Sequence, residues 1–142
     1  HKCGIMRSMR VFVAAAGVLY VSGMLLERLG MLPLVDYFTT CTEVGKSKEH
    51  PDIFATCATQ FGAAPQETVV FEDSAYAIRT ARAAGFRVVA VEDAISTQGK
   101  TGDETREGLA RLANLVIADY GQLIGRLTPA EDLSQGLGEL LG

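Results

Sequence analysis

Apolar and polar positions along the chain alternate between two rhythms. Val11 to Ala16 is a short unbroken apolar run ending at Gly17, the pattern of a strand buried on both faces of a parallel sheet. From Val18 to Leu29 the apolar residues Val18, Val21, Leu25 and Leu29 return at helical spacing, and Gly30 stands where a helix ends. Tyr37 to Val44 mixes β-formers with threonines and reads as a strand or extended connector into the polar loop Gly45 to His50. Pro51 then suits a first helical position, Ile53, Phe54, Cys57, Ala58 and Phe61 fall on one helical face, and Gly62 closes it.

After a turn at Ala64 to Glu67, Thr68 to Phe71 predicts a buried strand that delivers Glu72 and Asp73 to its C-terminal end. Ser74 is placed to cap the next helix, whose Ala75, Ile78 and Ala81 face inward before Gly85. Arg87 to Val91 predicts a further strand, Ser96 to Asp103 a polar loop, and the residues up to Ala113 a helix. Leu115 to Ala118 gives one more short strand. The tail after Arg126 has no strong period, so the expected division is a core over residues 1–126 and a flexible tail over 127–142.

Strands alternating with helices predict βαβ units and the α/β class: a Rossmann-like, three-layer core around a mainly parallel sheet. Ligands of such sheets bind beyond the C-terminal strand ends, which directs attention to Ala15 and Ala16, Glu72 and Asp73, and Glu92 and Asp93.

Composition narrows the function classes. A chain of 142 residues is the size of one domain, and its 48% hydrophobic and 21% charged residues are those of a globular protein. The net charge of −4, without a cluster of Lys and Arg, argues against a nucleic-acid binder. Three irregularly spaced cysteines suit neither a disulfide framework nor a zinc site, and fit reduced thiols in a cytoplasmic protein. The uncharged stretch Val11 to Leu26 is shorter than the ~20 residues of a membrane span and is broken by Ser22 and two glycines, so no membrane partner is expected.

Two adjacent carboxylates, Glu72 and Asp73, at the mouth of an apolar strand can neutralise a hard divalent cation such as magnesium. They can equally serve only the dipole of the helix that follows, and the second acidic pair at Glu92 and Asp93 shows how cheaply the pattern arises. Lys48 precedes the helix at Pro51, where it can reach a phosphate held above the strand ends; alone it is also an ordinary solvated lysine. A lysine converging with metal-binding carboxylates is what phosphoryl chemistry uses.

Gly45-Lys46-Ser47-Lys48-Glu49-His50-Pro51-Asp52-Ile53-Phe54, then Val69-Val70-Phe71-Glu72-Asp73-Ser74 and Ala81-Arg82-Ala83-Ala84-Gly85-Phe86, resembles as an ordered set the haloacid dehalogenase superfamily, in its β-phosphoglucomutase-like branch. The similarity runs from about Val11 to Leu123 and is most specific between Thr40 and Val91. The resemblance implies, for the complete protein, a magnesium-dependent phosphatase or phosphomutase acting on small phosphorylated metabolites, with magnesium held weakly or not at all without the upstream aspartates. Lys48 would contact the phosphate and the nucleophile, Glu72 and Asp73 would bind magnesium, and Ala15 with Ala16 would line the phosphate.

Two departures bear on activity. The family's first strand ends in Asp-x-Asp, whose first Asp attacks the phosphate and whose second is general acid and base, and no Asp-x-Asp occurs in this sequence. That strand and the family's cap domain would precede His1, so a core truncated at its N-terminus is expected. At Ala15 the family carries a Ser or Thr hydroxyl, and losing one donor to a buried phosphate oxygen costs ~1–3 kcal/mol. The missing strand would be central, between those at Val11 to Ala16 and Thr68 to Phe71, leaving a gap that self-association or another fragment could fill. The expectation is a phosphohydrolase core inactive as this chain, and the alternative is a non-catalytic binding or assembly module of the same descent.

Two other readings are weaker. Gly45-Lys46-Ser47 matches the end of a Walker A loop, but its first glycine would fall at Thr40. A receiver-like domain with Asp73 as phosphoacceptor would need acidic residues where Ala14 to Ala16 stand. His50 is expected in solvent, Cys41 and Cys57 in packing, and Tyr76 either in packing or lining the site.

Overall fold

The computed structural model describes residues 12–15, 28, 30, 36–92, 99–118, 121 and 141. In chain order these form β1 (Phe12–Ala15), β2 (Tyr37–Thr40), α1 (Cys41–Val44), α2 (Asp52–Gln60), a 3-10 turn (Pro65–Glu67), β3 (Val69–Glu72), α3 (Ala75–Ala83), β4 (Arg87–Val91), a second 3-10 turn (Gly102–Glu104), α4 (Arg106–Leu112) and β5 (Leu115–Ile117). The helix expected over Val18 to Leu29 lies outside the described residues except for helical Arg28, and Gly30 has φ 67°.

Every described strand pairing is parallel. β1 runs beside β2 with Phe12 opposite Tyr37 and Ala15 opposite Thr40. The other set has the order β3-β4-β5, with Val69 opposite Arg87 and Val89 opposite Leu115. Among the described residues no pairing joins the two sets.

The three-stranded sheet sorts its side chains by alternation. Val70, Val88 and Ala90 point into a core with Ile53, Phe54 and Ala58 of α2, Ala75, Ala77, Ile78 and Ala81 of α3, and Leu109 of α4. On the opposite face Val89 and Ile117 pack with Val69, Phe71, Val91, Leu115 and Leu141, the last only 8% exposed. Because β4 is buried on both faces it reads as an apolar run, as a central strand of a parallel sheet should.

Local chemistry shifts two boundaries and one capping bond. The expected strand Tyr37 to Val44 stops at Thr40, because Thr40 caps a short helix: its hydroxyl accepts from the Glu43 amide at 3.2 Å, and the Glu43 carboxylate accepts from the Thr40 amide at 3.2 Å. Pro51 stands one residue earlier than expected, at the N-cap of α2. Ser74 occupies the N-cap of α3, yet its hydroxyl makes no capping bond and donates instead to Asp73 Oδ1 at 3.3 Å.

Candidate active site

The site lies beyond the C-terminal end of β3, where a tight turn meets a strand end. The turn begins at Gly45, whose φ of 79° closes α1 and lets its amide reach the Cys41 carbonyl at 2.8 Å. Ser47 continues it, its hydroxyl accepting from the Glu49 amide at 3.3 Å and its carbonyl from the His50 amide at 3.0 Å. Gly45-Lys46-Ser47 thus ends one helix instead of opening another, which removes the Walker A reading.

This turn presents Lys48 to Glu72. The Lys48 ammonium donates to Glu72 Oε2 at 2.7 Å, with side chains only 15% and 7% exposed. The other carboxylate oxygen, Oε1, accepts from the backbone amides of Asp73 at 3.1 Å and Ser74 at 3.4 Å. Both oxygens of Glu72 are therefore engaged, which explains how a carboxylate is kept at a buried strand end. Asp73 stands outward in solvent. A hydrogen bond with the Glu72 side chain holds its carboxyl below the usual carboxylate range. Burial opposes this; its own amide, the Ser74 hydroxyl and the Lys48 charge reinforce it.

A second cross-link seats the turn on α3: the Thr80 hydroxyl lies 3.3 Å from the Glu49 carbonyl and 3.0 Å from the carbonyl of Tyr76. Beneath, Cys57 is fully buried on α2, and that burial raises its thiol to about 12 although the Lys48 charge pulls the other way.

Lys48, Glu72 and Asp73 are thus brought together. Ala15 ends β1 in register with Thr40, and Ala16 and Asp93 lie outside the described residues. Glu92 turns to an ion pair with Arg106, so it belongs to the packing of α4 and not to this cluster. His50 is exposed. Sequence reasoning left Tyr76 between two roles; it is 40% exposed and does not serve as core.

Among the described residues no group of three or more acidic, His or Cys side chains forms a metal cage. Magnesium does not require one, since it is commonly held through one or two carboxylates while water fills the rest of its octahedron. Asp73, ionised and outward, fits that role. Glu72 can join it only by exchanging the Lys48 ammonium for the ion.

Comparison with known proteins shows the family. Residues 5–85, more than half of the chain, match the haloacid dehalogenase-like hydrolases. The chain belongs to that family. It is 40% identical over 67 residues to the fructose-1-phosphate phosphatase YqaB of Escherichia coli strain K12, covering 47% of this chain and 36% of the relative. It is 37% identical over 65 residues to hexitol phosphatase A of the same organism, covering 46% and 30%.

Among solved structures, a family hydrolase of Deinococcus radiodurans with bound phosphate and sodium superimposes with a TM-score of 0.65 at 25% identity, covering 78% of this chain and 48% of that one. A β-phosphoglucomutase of Clostridium difficile shares the fold with a TM-score of 0.60 at 23% identity, covering 83% and 43%. These likenesses identify the α/β core as Rossmann-like. The matched part spans about a third of these curated relatives and about half of the solved chains.

Proposed function

We propose that these residues form the phosphate- and metal-binding part of a magnesium-dependent phosphohydrolase, a phosphatase or phosphomutase acting on small phosphorylated metabolites. Lys48 holds the phosphate and Asp73, with Glu72, holds magnesium. Magnesium bound there would supply Lewis-acid charge neutralisation at the phosphoryl oxygens. The observation that carries the reading is the meeting at 2.7 Å of a lysine and a carboxylate 24 residues apart in sequence, beside a second, outward carboxylate. A phosphate entering the site offers Lys48 a new anionic partner, so the same ammonium that balances Glu72 can pass to the substrate and free Glu72 for the ion.

The reaction itself, transfer of the phosphoryl group to an aspartate and then to water, needs a nucleophile from outside these 142 residues. The chain alone is therefore inactive in this reading. That the described strands pair as two separate sets, β1-β2 and β3-β4-β5, supports the further proposal that an additional strand, from another segment or a second copy, completes the sheet. A non-catalytic binding module remains the second reading, favoured by the absence of Asp-x-Asp and by alanine at position 15.

Titration calorimetry of the chain with inorganic phosphate in the presence of magnesium tests the site. Binding is expected, and Lys48→Met should weaken it at least tenfold, equivalent to ~1.4 kcal/mol. Equal affinity in that variant would remove Lys48 from the site. Magnesium-dependent turnover of p-nitrophenyl phosphate by the chain alone, lost in Asp73→Asn, would show that a nucleophile is present and that the inactive reading is wrong.

A further inference from the structure

From Gly45 to Asp52 every residue except Lys48 is exposed, and the first buried side chain after the turn is Ile53 of α2. No apolar packing therefore holds the lysine turn down, and its place on the molecule depends on hydrogen bonds. Those within it are local: the Gly45 amide to the Cys41 carbonyl, the Glu49 amide to the Ser47 hydroxyl and the His50 amide to the Ser47 carbonyl. They fix the shape of the turn but not where it sits against β3 and α3. Among the described residues two longer-range bonds do that: Lys48 Nζ to Glu72 Oε2 at 2.7 Å, and the Thr80 hydroxyl to the carbonyl of Glu49 at 3.3 Å.

The two tethers differ in what happens to them when an anion arrives. In the phosphate-site reading above, on which this inference rests, the Lys48 ammonium leaves Glu72 for the phosphate, and the first tether is then gone. The second takes no part in that exchange, because its acceptor is an uncharged backbone carbonyl. The Thr80 hydroxyl also lies 3.0 Å from the Tyr76 carbonyl one turn back in α3, but a carbonyl inside a helix already accepts an amide. The Glu49 carbonyl has no other donor among the described residues. We propose that Thr80 is a positioning residue for Lys48: it keeps the backbone of the lysine turn on α3 while the ammonium changes partner from Glu72 to the phosphate. A lysine carries its charge on a long flexible stem, so the charge is placed only as well as the backbone beneath it is held. Without the Thr80 hydroxyl the turn stays in place in the free protein through Lys48 and Glu72, and the loss shows when phosphate is bound.

Calorimetry of the chain with inorganic phosphate and magnesium tests this with two variants, Thr80→Val, which removes the hydroxyl and keeps the branched shape, and Thr80→Ser, which keeps the hydroxyl. Thr80→Val should weaken phosphate binding roughly three- to tenfold, the span of one net hydrogen bond, with its midpoint in urea close to that of the wild type. Thr80→Ser should bind as the wild type does. Added to Lys48→Met, Thr80→Val should have no further effect on phosphate affinity, because no ammonium is left to position. Unchanged affinity in Thr80→Val, with binding still weakened in Lys48→Met, overturns this inference alone and leaves the site reading standing. A loss of the same size with and without Lys48, or one that Thr80→Ser does not rescue, would make Thr80 a structural residue and overturn it as well. A wild-type chain that does not bind phosphate, or a Lys48→Met chain that binds it equally tightly, overturns the site reading and this inference together.

Discussion

At the scale of single residues, the environment beneath the site is as informative as the site itself. Burial pushes the Cys57 thiol up to about 12 against the lowering pull of the Lys48 charge, so it stays neutral well above physiological pH. In an unfolded chain the same group titrates near ~8.5. Its folded value is therefore raised, so its contribution to stability is fully present below ~8.5 and is lost as pH rises towards about 12. Half-buried Cys41 should react with a maleimide at pH 8 in the native protein, while Cys57 should label only after denaturant is added. Peptide mass mapping decides this, and rapid native labelling of Cys57 would show that α2 does not seal it.

The residue types at the site were legible before the structure. Lys48, Glu72 and Asp73 follow from their places after predicted elements and from the family resemblance. Their contact was not legible, because nothing in local sequence says that a loop lysine reaches a carboxylate 24 positions away. Nor did the sequence show that Glu72 would spend one oxygen on two backbone amides.

At the scale of elements, helix ends explain both the successes and the misses. The helix at Asp52–Gln60 was visible because Ile53, Phe54, Cys57 and Ala58 repeat on one face, and all four are buried. The short α1 was missed because Cys41 to Val44 has no such repeat, although Thr40-x-x-Glu43 carried a capping-box signal that would have found it.

A tighter constraint sits at α4. Thr105 caps it by accepting from the Gly108 amide at 3.1 Å, and the Thr105 hydroxyl donates to the Gly102 carbonyl at 2.7 Å. The Gly102–Glu104 turn is thereby drawn against the helix. A Cβ on Gly108 would stand 2.4 Å from the Gly102 carbonyl oxygen and 2.5 Å from Asp103 Cα, both backbone. Gly108→Ala should consequently destabilise the protein by about 2 kcal/mol despite alanine's better helix propensity. An unchanged or raised midpoint in urea would mean that the turn yields easily.

At the scale of the whole molecule, one apolar cluster ties the helices to the three-stranded sheet. Phe54 of α2 packs against Phe86, just before β4, with ring centroids 6.0 Å apart and planes at 56°. Phe54→Ala should cost about 3–5 kcal/mol, and because the cluster also takes in α3 and α4, unfolding should remain one transition. Circular dichroism and tyrosine fluorescence should then lose signal together in urea; separate midpoints would show that α2 and the sheet unfold independently. No helix among the described residues is long and apolar enough to cross a membrane.

The sequence by itself determined the α/β class, the places of the buried strands and helices, and the residue types at the strand ends. Those follow from periodicity, caps and glycines, each a property of neighbouring residues. Only the tertiary structure decided that Lys48 is balanced by Glu72, that Ser74 serves Asp73 and not its helix, that Glu92 belongs to Arg106, and that Tyr76 is exposed. These pairings join residues far apart in the chain, or choose between two near partners, and the choice is made by which charges and donors the packed core leaves within reach.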